Sequence, residues 1–120
     1  MIELDEITLT LPHEREFHNV AHLVLGGLAL RLNLTIETLE DLQLALAAIL
    51  DRAEPDGDVT VALSLHDGTL ETRVGPVDLR HELSSDDVAD LTLRRILMTV
   101  ADDVQLDGQW ARLTKKVDEL

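Results

Sequence analysis

The stretch from Val59 to Val74, VTVALSLHDGTLETRV, constrains the fold more than any other. On both sides of Asp67-Gly68 its apolar residues alternate with polar or small ones. A period of two is the signature of a strand, because successive side chains leave a strand on opposite faces. Asp-Gly between two such runs is a strong hairpin signal, since both residues accept the positive φ that a tight turn demands. Two strands joined so tightly pair antiparallel. The pattern recurs near the end of the chain, where Asp107-Gly108 separates VQL from WARLTKK. A fifth strand is read from IELDEITLTL, in which Ile7, Leu9 and Leu11 alternate with Thr8 and Thr10 until Pro12 ends the run.

Between these strands the period changes. In HEREFHNVAHLVLGGLALRLNL, residues Phe17, Val20, Ala21, Val24 and Leu28 recur at three and four, which predicts a helix with that stripe inward. Gly26-Gly27 interrupts it at about 1 kcal/mol per glycine relative to alanine, so either the helix is weak there or something packs close. A second helix begins after Thr35, its N-cap, with Glu37 and Glu40 near the positive end of the dipole. Leu39, Leu42, Leu46, Ile49 and Ala53 form its inward stripe, and EPDGD ends it. GPVDLRHEL shows no clear period and is read as a loop. Ser84 or Ser85 caps a third helix with Asp86 and Asp87 in its first turn and Ala89, Leu93, Ile96, Leu97 and Val100 inward.

The order β-α-α-β-β-α-β-β predicts an α+β two-layer sandwich in one domain spanning residues 1–120. A mixed, mostly antiparallel sheet would be covered on one face by three helices. The other face would be polar, carrying Thr8, Thr10, Thr60, Ser64, Glu71 and Arg73.

Composition narrows the function. Ten basic against twenty-four acidic residues give a formal charge of −14. Such a surface repels phosphate backbones and anionic lipid, so nucleic acid and membrane are excluded as partners, and a basic protein surface is favoured. The chain has no cysteine, which removes disulfides, thiolate metal sites and cysteine nucleophiles. Met1 is followed by acidic, alternating sequence without a signal-peptide pattern, and no run reaches the roughly 20 apolar residues of a membrane span. A cytoplasmic location is expected.

ITLTLPHEREFHNVAHLVLGGLALRLNLTIETLEDLQLALAAILDRA resembles the opening strand and first two helices of the anti-sigma regulatory factor kinases, which have the histidine-kinase-like ATPase (Bergerat) fold. LRRILMTVADDVQLDGQWARLTKKV is similar to their last helix and closing hairpin. The resemblance implies three motifs. On the second helix, a Glu base and, four residues on, a magnesium-holding Asn fall at Ala48 and Arg52. An Asp-x-Gly-x-Gly loop, whose Asp reads the adenine amino group, falls on Arg73-Val74-Gly75-Pro76-Val77. A glycine-rich lid that cradles phosphates falls near Asp90-Leu91-Thr92-Leu93, and no glycine lies between Gly75 and Gly108.

The chemistry at these positions runs against nucleotide binding. Magnesium takes oxygen ligands, and a guanidinium offers none. Ala48 accepts no proton. Arg73 carries only donors and cannot accept from an adenine amino group. Val77 carries a Cβ where a backbone amide should approach phosphate closely. The expectation is a non-catalytic regulator acting by protein contact, with no cofactor. The resemblance implies a sigma factor or an anti-sigma antagonist as partner, and a homodimer. The alternative is a divergent ATP-binding protein or weak serine kinase that uses magnesium and has rebuilt its site around Arg52, Arg73 and Asp78.

Other groups carry less. Arg52 and Arg73 together could bind an anion, against ordinary ion pairing with acidic neighbours. His18 and His22, extended by Glu14, have the spacing of a helical metal pair but lack a further ligand, so a solvated helix face is the simpler reading. His66 and His81 fall in a turn and a loop with no catalytic partner. Asp102-Asp103 is read as a helix-ending turn rather than a cation site. Trp110 is either a partner anchor or a packing residue.

Overall fold

The computed structural model describes residues 4–12, 15–52, 57–77, 79–80 and 88–117, with the side chains at 4–6, 15–18, 29, 52 and 88–90 outside that description. The elements follow the order read from sequence: β1 (Leu4–Pro12), α1 (Arg15–Arg31), α2 (Ile36–Arg52), β2 (Asp58–His66), β3 (Thr69–Gly75), α3 (Val88–Val100), β4 (Asp103–Asp107) and β5 (Trp110–Lys116). They form one five-stranded sheet ordered β1-β2-β3-β5-β4. Every neighbouring pair is antiparallel, so the sheet is not mixed. Each neighbouring pair in the sheet except β1-β2 and β3-β5 is a direct hairpin, and antiparallel pairing needs no crossover helix between those strands.

The turns follow from their residues. Asp67 and Gly68 both take positive φ, at 50° and 75°, which closes the β2–β3 hairpin with His66 opposite Thr69. His66 is therefore the last residue of a strand rather than part of a turn, and it pairs with Asp67 at 3.2 Å. In the second hairpin Asp107 faces Trp110, so the central residues are Gly108 and Gln109, with Gly108 at φ 61°.

Strand alternation sends Ile7, Leu9, Leu11, Val59, Val61, Leu63, Val74, Ala111, Leu113 and Val104 toward the helices, where they meet Ala21, Leu25, Ala45, Leu46, Ile49, Leu50, Leu93, Leu97 and Val100. Ile49, Val74 and Leu97 are fully buried where the layers join. Truncating such a side chain costs about 2–5 kcal/mol. A second cluster, Leu32, Leu34, Leu65, Leu70 and Val117, closes one end beneath the α1–α2 connection. Val77 and Leu79, in the stretch without a sequence period, are also core residues.

The helices differ in part from expectation. Thr35 caps α2, its Oγ1 accepting from the Thr38 amide at 3.2 Å. On α1 the inward side carries Ala21 and Leu25, whereas Val20 is exposed. A Cβ built on Gly26 or Gly27 meets nothing within 4 Å, so none of the described residues requires glycine there. The predicted caps at Ser84 and Ser85, the acidic turn at Asp86 and Asp87, and Ala53 lie outside the described residues, as do the side chains of Phe17 and Ala89.

Candidate functional site

Leu44 and Ala48 stand one turn apart on α2, with Leu44 on the flank that faces α3. Ala48 is partly buried against the main core. Arg52 ends α2, and its side chain lies outside the described residues. Between the helices is an open groove of about 280 Å³ lined by Leu44, Thr92, Arg95, Ile96, Thr99 and Val100. Its described lining offers two hydroxyls and one guanidinium but no carboxylate or carboxamide. Thr99 Oγ1 donates to the Arg95 carbonyl at 2.6 Å, so that hydroxyl is engaged within its own helix. Leu91, Thr92 and Leu93, at the place of the expected lid, lie inside α3, and Leu93 is a core residue.

Arg73 stands elsewhere. Its neighbour Val74 points into the core, so Arg73 lies on the sheet face turned away from the helices, opposite Arg112. Its guanidinium sits 5.9 Å from the centroid of the Trp110 ring, a cation–π contact. The fold does not bring Arg73 to the α2–α3 groove beside Ala48. Apart from the buried Ala62, the rest of this open face is polar, as expected: Thr10 and Thr60 share a 2.9 Å hydroxyl bond across β1 and β2, and Arg112 bonds Gln105 and pairs with Glu71 at 3.6 Å.

The segment after Arg73 is held by the β4–β5 turn. A Cβ on Gly75 would stand 2.7 Å from the Gln109 carbonyl oxygen and from the Trp110 ring. The glycine is thus needed by a backbone and an indole of this chain. A cis bond joins Gly75 to Pro76. The buried Val77 donates its amide to the Gln109 oxygen at 2.7 Å. Trp110 is therefore a packing residue, though 36% of it stays exposed.

His22 is not on a solvated face: it is half-buried, its Nε2 is buried without a partner, and its carbonyl accepts from Gln43 at 3.3 Å. The side chain of His18, and all of Glu14, Asp78 and His81, lie outside the described residues. Asp102 accepts from the Lys116 amide at 2.7 Å and Asp103 from Gln105, so both shape the start of β4. Among the described residues no group of three His, Asp or Glu is placed to hold a metal ion.

Sequence reading missed Lys115. It occupies an inward position of β5, two residues beyond Leu113, and its Nζ donates to the Val100 carbonyl at 2.9 Å and pairs with Asp41 at 3.3 Å. One ammonium thus ties β5 to the C-terminus of α3 and to α2. The signal was present in the alternation Ala111, Leu113, Lys115: a charge at an inward strand position calls for a built-in partner.

Comparison with known proteins supplies the relationship. The chain is 28% identical over 141 residues to the serine-protein kinase RsbW of Listeria monocytogenes serovar 1/2a, a match that covers 96% of this chain and 89% of the relative. The serine-protein kinase RsbW of Listeria innocua serovar 6a matches to the same extent. The chain is thus similar over nearly its whole length to anti-sigma regulatory kinases. The matched span exceeds the 120 residues of this chain, so these relatives carry residues there that it lacks. No family model matches the chain. No helix among the described residues is long and apolar enough to cross a membrane.

Proposed function

We propose that this protein is a non-catalytic, cytoplasmic regulator that acts by protein contact in bacterial partner switching. Its partner is a sigma factor or an anti-sigma antagonist, and it needs neither ATP nor magnesium. One observation carries the reading: the backbone that should meet nucleotide is already engaged within the fold. The Val77 amide donates to Gln109, and the open side of Gly75 is filled by Trp110. An amide that donates inside the protein is not free to cradle a phosphate.

The residues at the other family positions fit ATP and magnesium no better. Ala48 presents a methyl group, and Arg52 brings a permanent cation where magnesium would need an oxygen. The α2–α3 groove is mostly apolar. Thermal melting with and without millimolar magnesium-ATP tests this. A ligand at 100 times its dissociation constant adds about 2.7 kcal/mol, a readily seen rise in Tm. No rise is expected, and a rise would return the protein to the ATP-binding kinases. The double substitution Ala48→Glu with Arg52→Asn is expected to give no ATP turnover, because the Gly75–Val77 segment stays pinned.

We also propose a homodimer through α1. Leu23 and Leu30 on its outer face are 77% and 82% exposed, Val20 lies in line with them, and Gly27 between them is open. From Arg15 to Asn33 a single carboxylate, Glu16, interrupts a surface on which two chains of charge −14 could meet with little repulsion. Sedimentation equilibrium is expected to find a dimer that Leu23→Glu dissociates. A monomeric wild type would remove this contact.

A further inference from the structure

We propose that the groove between α2 and α3 docks an amphipathic helix of a protein partner, one that presents aliphatic side chains a turn apart and a carboxylate to Arg95. The inference rests on the reading above that this groove no longer serves a nucleotide.

Leu44 leaves 50% of its surface exposed at the groove wall, opposite Ile96 and Val100. On α3 the 3.6-residue period places Leu91 and Met98 just beyond Arg95, and Met98 is 65% exposed. The apolar surface therefore runs from α2 across the groove to the outer edge of α3. At about 280 Å³ the groove falls just short of the roughly 300–1,000 Å³ that encloses a small ligand. Being open, it cannot bury such a ligand, whereas a helix laid along it brings its own cover and inserts side chains at i and i+3 or i+4. A methionine at the rim suits that use, because its unbranched side chain adapts to the incoming surface.

Charge selects the helix. Arg95 is a cation in the groove lining, and no carboxylate among the described residues pairs with it, in a chain with twenty-four acidic residues. A partner carboxylate at that point would fix the register of the docked helix. The surrounding −14 charge favours a helix whose outer face is basic, and it disfavours a second copy of this chain.

The test is selection of phage-displayed amphipathic helices on the wild-type protein, with Leu44→Glu and Arg95→Glu as counter-targets. Both side chains are exposed, and an unchanged Tm confirms that the variants fold. Enriched helices are expected to share an aliphatic pair one turn apart and an Asp or Glu. Each variant should weaken binding at least tenfold, and replacing the peptide carboxylate by Lys should restore binding to Arg95→Glu. Amide resonances of α2 and α3 should shift on titration. Absence of enrichment over the counter-targets, equal binding to the variants, or shifts confined to α1 or the open sheet face would overturn the inference. Titration with magnesium-ATP alone separates the two ideas. If nucleotide shifts the groove amides, the non-catalytic reading fails; if neither nucleotide nor any helix does, only the docking proposal fails.

Discussion

Gly75 concentrates what a single residue can decide in this protein. The family resemblance implies a nucleotide-binding loop at this position, yet a Cβ there would stand 2.7 Å from the Gln109 oxygen and from the Trp110 ring. The indole is flexible enough to swing aside, but the carbonyl belongs to a hairpin turn and also receives the Val77 amide. Gly75→Ala should therefore destabilise the fold by about 1–3 kcal/mol, the range for forced overpacking. Urea denaturation should show a lower midpoint at unchanged slope, and a midpoint equal to wild type would mean that the turn moves freely. Lys115 makes a second test. Its ammonium stabilises the α3 C-terminus and pairs with a partly exposed Asp41, so Lys115→Met should lose about 1 kcal/mol, with the carbonyl contact carrying more than the screened ion pair. Asp41→Asn, measured alongside, should cost less than Lys115→Met; the reverse ranking would contradict that assignment.

At the scale of elements, periodicity made the architecture legible. The alternation around Asp67-Gly68 yields β2 and β3 with their turn, and Thr35 marks the start of α2 by a cap the structure retains. Legibility failed where a pattern has two physical sources. Val20 on α1 looks like a core residue because burial and an unpartnered apolar face produce the same spacing. Val77 and Leu79 escaped notice because an irregular segment can be buried without any period. The alternation of β3 already set Arg73 on the polar sheet face, but the groove was illegible for another reason. Which flanks of two helices come together is fixed by residues distant in sequence, here by Leu44 of α2 against Ile96 and Val100 of α3. The glycines of α1 give the element-scale prediction. Since nothing within 4 Å opposes a Cβ at either one, Gly26→Ala should stabilise the protein by about 1 kcal/mol. Gly27→Ala should do the same in Leu23→Glu, where the α1 contact is removed. A loss of stability at Gly26 would mean that the helix needs its flexibility.

The molecule as a whole is small relative to the reach of its own charge. Its radius of gyration is 13.7 Å, and it carries a formal charge of −14. At 0.01 M salt the screening length is about 30 Å, so every carboxylate repels every other across the entire fold. At 0.15 M it is about 8 Å, less than the radius, and repulsion is confined to near neighbours. Unfolding spreads the same charges apart, so self-repulsion weighs against the compact state, and screening should relieve it. Surface ion pairs such as Arg112 with Glu71 and Lys115 with Asp41 act in the opposite direction, because salt weakens them. Net charge decides between the two: ten cations cannot neutralise twenty-four anions, so repulsive pairs outnumber attractive ones overall. Tm should therefore rise with sodium chloride between 0.01 M and 0.15 M, and the association rate with a basic partner should fall over the same range. Differential scanning calorimetry and stopped-flow mixing measure the two directions independently. If stability falls with salt, local ion pairs govern the fold, and long-range repulsion would lose its place as the term that sets how this surface selects a partner.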